Sequence, residues 1–281
     1  MQRLRRLLQR RSARLADGVF VAEGVKLLDC ALDAHAPVES VYVAADALGS
    51  PGIRESVERA LTAGARAFEL GPGVLERVAL TVTPQPVLAV VRTPEATLDD
   101  LADADLVVVC VDVRDPGNAG ALIRSADASG AGGVVCCDGS VDPFNPKTVR
   151  ASAGSVLHVP VVTGVGTDEA LSWLRSRGFV LRGAVSEGGT AHTDVDWSVR
   201  SALVLGNEAT GLSDQMRQQL DELVTVHMAG HAESLNVAIA GAVLFFEALR
   251  QRSTLGGVKV VSKSGLPEVG APRLRERAAN E

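Results

Sequence analysis

The chain has 281 residues, 46% of them hydrophobic and only 3% aromatic, with a formal net charge of −6. That length accommodates two domains and two cores, the apolar fraction excludes a disordered chain, and the acidic balance excludes a uniformly basic nucleic-acid binder while leaving room for a local basic patch. With so few aromatics the cores must be built from Val, Leu and Ala, which suits a parallel sheet covered by helices.

The chain begins with a basic stretch. Its first fourteen residues hold Arg3, Arg5, Arg6, Arg10, Arg11 and Arg14 and no acid. Leu4–Arg14 has a helical pattern, open to two readings: a solvated basic helix or a phosphate-facing patch. Its apolar face, Leu4, Leu7 and Leu8, is too small for a membrane anchor. Helix and strand patterns then alternate: strand Gly18–Gly24, helix Val25–Ala36, strand Val38–Ala45, helix Gly52–Ala63, strand Ala65–Leu70, helix Gly73–Leu80 and strand Pro86–Pro94. They predict a small α/β domain over 1–95, and the acidic, apolar-poor 96–105 reads as a linker.

From Leu106 the pattern changes. LVVVCVDV is a continuous apolar run, expected of a central strand buried on both faces. A DPGN turn leads into a helix over Ala119–Ser129, and Gly133–Cys137 is the next strand. Asn145 and Pro146 cap and start a helix to Gly154. VLHVPVV reads as a strand, Asp168–Arg177 as a helix and Gly178–Val185 as a strand. The domain ends with two apolar runs, each passing through a glycine-bearing loop and then into a helix. It is expected to span 106–252, followed by a loose polar tail over 253–281.

Cys30, Cys110, Cys136 and Cys137 lack metal-ligand spacing; the last three sit in apolar runs as buried thiols, which fits a reducing cytoplasm. No run approaches the roughly eighteen apolar residues of a membrane span, and no signal-peptide pattern precedes the basic start. A cytoplasmic protein without membrane or metal partners is expected.

Three segments carry polar groups at strand ends, where open α/β sheets bind ligands. In VDVRDPGNAGALIRSADASG, Asn118 stands at the mouth of a helix and Arg124 about two turns in, on an otherwise small or apolar helix. Asn118 could also be a plain cap and Arg124 a surface residue. In LVLGNEATGLS, Gly206 allows close backbone approach after Leu205, Asn207 and Glu208 offer polar groups, and Gly211 reverses the chain. This lacks the glycine order of a dinucleotide site and the Gly-Lys-Ser/Thr of a phosphate loop. In VTVHMAGHAESLNVAIAGAVLFFEALR the strand ends near Val226, and Ser234 opens a helix with a packing stripe of Leu235, Ala238, Ala242 and Leu249. The small residues of its first half require another backbone close by. His227 and His231 lack a third ligand, and no Ser-His-Asp order suggests a hydrolase.

Taken together, DPGNAGALIRSADASGA, LGNEATGLS and HMAGHAESLNVAIAGAVLFFEALR resemble, in order and spacing, the three motifs of the SpoU (TrmH) family of RNA ribose 2′-O-methyltransferases in the SPOUT superfamily. VDPFNPKTVRASAGSVLHVPVV also looks like the family. The segment Arg5–Val43, with FVAEGVKLL, is similar to the ribosomal-protein-like (L30e-type) RNA-binding domain that precedes the catalytic domain in many members. The resemblance implies a parallel α/β domain tied in a deep trefoil knot, a homodimer through that domain, and S-adenosylmethionine held by Leu205, Gly206, Asn207, Gly211, Val226, Met228, Leu235 and Asn236. It implies a catalytic set of Asn118, Arg124, Glu208, Ser234 and Asn236. RNA, most readily rRNA, would meet Arg3, Arg5, Arg6, Arg10 and Arg11, with Lys26 in FVAEGVKLL and Arg150 in NPKTVRASAG. Two departures stand out: Val226-His227-Met228 replaces the usual Ile-Pro-Met, and Ser125 replaces the Thr that often follows the motif-one arginine. A tRNA 2′-O-methyltransferase, a non-catalytic RNA-binding or ribosome-assembly factor, and a nucleotide-binding oxidoreductase are the alternatives; the last is disfavoured by the absent dinucleotide fingerprint.

Overall fold

A computed structural model of the chain describes residues 1–79 and 83–254. The expected tail lies outside the described residues from 255 onward, as do residues 80–82, which include the expected end of the helix Gly73–Leu80. Two short helices, α1 (Gln2–Gln9) and α2 (Arg11–Asp17), open the fold. The single helix expected over Leu4–Arg14 is broken at Arg10, which is extended (φ −122°, ψ 118°). The reason is local: a continuous helix would carry Arg11 onto the stripe of Leu4, Leu7 and Leu8, seven, four and three residues away. There follow β1 (Val19–Glu23), α3 (Val25–Asp33), β2 (Val38–Ala44), α4 (Pro51–Thr62), β3 (Arg66–Leu70), α5 (Val74–Val78) and β4 (Val87–Arg92). The four strands form one sheet in the order β1-β4-β2-β3, with β2 and β3 parallel and the other pairs antiparallel.

The second sheet is built from β5 (Leu106–Cys110), β6 (Gly133–Cys136), β7 (Val161–Thr163), β8 (Val180–Val185), β9 (Thr190–Ala191), β10 (Ser201–Leu205) and β11 (Glu222–Thr225). All its pairs are parallel, in the order β7-β6-β5-β10-β8-β11-β9. Helices α6 (Pro116–Ala128), α7 (Pro146–Ala151), α8 (Thr167–Ser176), α9 (Asp214–Gln218) and α10 (Val237–Thr254) complete it. Each of β5 and β10 is buried along its whole length, and alternate residues serve opposite faces. Val107, Val109, Ala202 and Val204 pack under α8, while Leu106, Val108, Leu203 and Leu205 pack under α6 and α10.

Several expectations are corrected. The run Val156–Val162 is not one strand: a 3-10 turn covers Ser155–Leu157, and the strand begins only after Pro160, which has no N–H for a ladder. The stretch 96–105, read as a linker, is locally ordered. Thr97 and Asp100 form a capping box, and Leu101 is fully buried in the second core. The two cores expected from length are arranged differently, because one apolar cluster runs from the first sheet into the second. Phe20 meets Phe144 with ring centroids 5.5 Å apart. Arg14, in the basic segment read as either solvated or phosphate-facing, is buried and donates from Nε and Nη2 to Asp142 Oδ2 at 3.1 and 2.5 Å. Arg150 Nη1 reaches Glu23 Oε2 at 3.2 Å across the same junction.

The C-terminal end of α6 is tied to the 3-10 turn by Asp127 and His158, 3.5 Å apart. The hydrogen bond to Asp127 raises the pKa of His158 against the opposing effect of burial. Asp127 is lowered: burial works against its ionisation, but bonds from His158 and Ser155 prevail. A raised histidine contributes stability that is complete below its unfolded value, about 6.5, and lost as pH climbs through the folded value. A lowered carboxylate contributes above its unfolded value, about 3.9, and loses it as pH falls through the folded one. The pair therefore stabilises between these limits. Wild type is expected to melt at a slightly lower temperature at pH 8 than at pH 6, and His158→Gln to lose that difference; the effect is small because both groups are partly exposed.

Candidate active site

The rim of the second sheet at the C-terminal ends of β5, β8, β10 and β11 carries the polar groups. The chain leaves β5 through Asp112, which takes a left-handed conformation (φ 57°) that Asp tolerates better than most residues. Asp115 then caps α6: its Oδ1 accepts from the Asn118 N–H at 2.8 Å, and Pro116 takes the first helical position. Asn118 is therefore not the cap but a first-turn residue whose side chain is not used in capping.

That side chain joins the three segments. Asn118 Nδ2 donates to Glu208 Oε1 at 3.1 Å, and Asn118 Oδ1 accepts from Asn236 Nδ2 at 2.9 Å. Asn236 Oδ1 in turn accepts from the Ala238 and Ile239 N–H groups at 2.9 and 3.3 Å. Asn236, rather than the expected Ser234, thus caps α10, which starts at Val237. Glu208 also accepts from the Arg114 and Asp115 N–H groups at 3.2 and 2.9 Å. Burial disfavours its charge, but these bonds hold its pKa below the ordinary glutamate value. Its anionic position at the start of α6 also suits the helix dipole.

The loop after β10 is closed on itself. Asn207 and Gly211 exchange backbone hydrogen bonds of 3.2 and 2.9 Å. Asn207 Nδ2 donates to the Asp112 carbonyl at 3.0 Å, and its Oδ1 accepts from Ala209 and Thr210 N–H. Gly206 leaves no room: a Cβ there would lie 2.5 Å from the carbonyl carbon and oxygen of Gly211.

Between this loop and the β11–α10 loop lies a cavity of about 230 Å³. Leu205, Gly206, Asn207, Glu208, Gly211, Val226, Met228, Ser234 and Leu235 line it together. Asn236 joins through its bond to Asn118. Arg124 is not among the lining residues. It lies exposed on α6 and makes no hydrogen bond or ion pair among the described residues. The basic candidates also divide. Arg3 is paired with Asp17 and Glu39, Arg5 donates to the Arg77 carbonyl, and Arg150 holds Glu23. Arg6, Arg10, Arg11 and Lys26 are exposed, and no ion pair holds them among the described residues.

Sequence reasoning missed Ala184, Val185 and Ser186 at the end of β8, and Arg217 on α9, whose Nε donates to the Leu212 carbonyl at 3.0 Å. The first three were available in principle, since a parallel neighbour must end on the same rim. A five-residue polar helix leaves no periodic signal for Arg217. The packing stripe of α10 also runs differently, through Ala238, Gly241, Leu244, Phe245 and Ala248. Gly241 sits where a Cβ would be 2.5 Å from Leu122 of α6. That close crossing sets the stripe.

The profile of the SpoU rRNA Methylase family matches residues 105–246, and that of the MRM3-like substrate binding domain matches residues 1–89. The chain is 35% identical over 217 residues to the 23S rRNA (guanosine(2553)-2′-O)-methyltransferase RlmP of Bacillus subtilis, covering 74% of this chain and 86% of that protein. It is 33% identical over 259 residues to the 23S rRNA (uridine(2479)-2′-O)-methyltransferase of Streptomyces viridochromogenes, covering 89% of each. The crystal structure of AviRb from Streptomyces viridochromogenes with its cofactor AdoMet superimposes with a TM-score of 0.82 at 33% identity, covering 90% of this chain and 97% of that one. An AdoMet-bound rRNA methyltransferase from Sinorhizobium meliloti superimposes with a TM-score of 0.79 at 30% identity, covering 89% and 93%. With that match over more than half its length, and with three motif loops meeting at one rim, the chain belongs to the SpoU rRNA methylase family.

Proposed function

We propose that this protein transfers a methyl group from S-adenosylmethionine to a ribose 2′-hydroxyl of 23S rRNA. The observation that carries the reading is the joined rim: Glu208, Asn118 and Asn236 hydrogen-bonded in series beside the cavity closed by Gly206. The cavity's donor set fits a nucleoside. Leu205, Val226, Leu235 and Val237 give apolar wall, and Asn207, Ser186 and Ser234 give polar edge. Backbone groups near Gly206, Val226 and Leu235 would hold the adenine and ribose. S-adenosylmethionine, when bound, supplies an electrophilic methyl on a good leaving group.

The chain's own residues must position the ribose and manage its proton. Asn118 and Asn236 orient the nucleotide, with Ser234 and Glu208 completing the polar lining. Arg124 cannot serve as an ordinary base, since a guanidinium stays protonated. It instead fixes the target phosphate, whose oxygen takes the proton, or stabilises the developing alkoxide. This reading includes a deep trefoil knot in the 106–252 domain, an L30e-like domain over 1–95, and a homodimer. Ile239 and Phe246, 56% and 47% exposed on one side of α10, support pairing through that domain. The two relatives that act on 23S rRNA, matched over 74% and 89% of this chain, favour rRNA over tRNA. Among the described residues no helix is long and apolar enough to cross a membrane, and no cluster of three or more His, Cys, Asp or Glu is placed to hold a metal.

Calorimetric titration tests the site. Wild type is expected to bind S-adenosylmethionine saturably. Gly206→Ala must push the Gly211 backbone aside and is expected to weaken binding by at least tenfold, while costing about 1–3 kcal/mol of stability. Undiminished binding by this variant would remove the β10 loop from the cofactor site.

A further inference from the structure

Five of the nine aromatic side chains are buried. Phe20, Phe245 and Trp197 are fully buried, and Phe144 and Phe179 nearly so. Phe68 is an exception at 41% exposure, and it stands on β3, one of the two edge strands of the first sheet. It is not a stray surface residue. The ring stacks on Tyr42, the only tyrosine of the sequence, with centroids 5.1 Å apart and planes 19° from parallel. Tyr42 and Phe68 are register partners on β2 and β3, so strand alternation sets both on one face. Arg66, two residues before Phe68 and on that same face, holds its guanidinium 5.9 Å from the Phe68 centroid. Four of the five residues of β3 are exposed, leaving one side of the pair open.

The charge around the pair is predominantly basic, since the exposed Glu69 of β3 alternates onto the opposite face of the sheet. Tyr42 packs against the cluster formed by Leu4, Leu7 and Leu8 of α1 and Leu75 of α5. Those helices carry Arg5, Arg6 and Arg77 on their outer sides, against the single acid Glu76. Glu39 of β2 is already engaged by Arg3 and Arg92. An open aromatic face beside unopposed guanidinium groups is complementary to a flat, apolar ring carried on a phosphate backbone.

The geometry points to the Phe68–Tyr42 pair, flanked by Arg66, as a stacking platform for an unpaired base of the RNA this protein modifies. The proposal rests on the RNA reading above and adds a contact far from the methyl-transfer rim. Stacking needs a π-face but no hydrogen bond, so the platform accepts any base that is out of a helix and rejects duplex.

The test is equilibrium binding of a short fluorescein-labelled single-stranded RNA of mixed sequence, and of the same strand annealed to its complement, as salt is varied. Phe68→Leu keeps an apolar side chain but loses the ring; it is expected to weaken single-strand binding roughly tenfold or more without changing the salt slope. Phe68→Tyr is expected to bind as wild type, and Arg66→Ala to flatten the slope by about 0.7, one phosphate contact on a single strand. Unchanged affinity in Phe68→Leu overturns the proposal, and would be the outcome if the patch served a protein partner instead. Equal loss on single strand and duplex, or loss in Phe68→Tyr as well, also overturns it. None of these outcomes touches methyl transfer, whose own failure would appear as wild type binding RNA but leaving 23S rRNA unmethylated.

Discussion

Arg124→Ala is expected to lower methyl transfer by on the order of a hundred- to a thousandfold, the effect of deleting one charge-stabilising group from a reaction centre. Affinity for S-adenosylmethionine is expected to stay nearly unchanged. The separation follows from position. Arg124 is exposed on α6, outside the cavity lining, and its side chain holds nothing else in place among the described residues. Its loss should therefore cost no more than about 0.5 kcal/mol of stability. Arg124→Lys divides the two roles. A bidentate hold on a phosphate needs the planar guanidinium and would be lost with Lys, whereas a compact charge near an alkoxide would be partly replaced. Methyl transfer by Arg124→Ala at the wild-type rate would exclude the residue from the chemistry.

Asp142→Ala is expected to destabilise the protein by about 3–5 kcal/mol, because it leaves the guanidinium of Arg14 buried without its counter-charge. The two side chains are 5% and 10% exposed, and Arg14 Nη1 is further committed to the Leu7 carbonyl at 2.8 Å. This pair joins α2 to the loop before α7, so it fixes the first domain on the second. Chemical denaturation followed by circular dichroism measures the loss. Replacing both partners, as Arg14→Met with Asp142→Leu, should cost far less than Asp142→Ala alone, since no charge is then stranded. A single-variant loss under about 1 kcal/mol would mean that water already reaches the pair.

How much of this was legible differs by element. The run Leu106–Cys110 announced a doubly covered strand, because five apolar residues in a row leave neither strand face suited to water. Asn145 with Pro146 announced the start of α7, since cap and proline act locally. Local cues failed where a neighbour decides. Asp115 displaced Asn118 as the cap of α6, and the crossing at Gly241 moved the stripe of α10. At the rim, the residue types pointed to a polar site, but the series Glu208–Asn118–Asn236 joins positions 90 and 118 residues apart. No periodicity carries such distances; only the order of strands does. Arg14 and Arg11 make the same point in reverse. Both sit in one basic run, yet one is buried against Asp142 and the other is exposed. Composition gives the charge of a segment and is silent on which member of it turns inward.

The most direct measurement is a map of ribose methylation along 23S rRNA from cells with and without this protein, read by resistance of the neighbouring phosphodiester to alkali. The account predicts a discrete resistant position that disappears with the protein and returns with wild type but not with Arg124→Ala. Identical maps, or a new mark on a base rather than on a ribose, would contradict it.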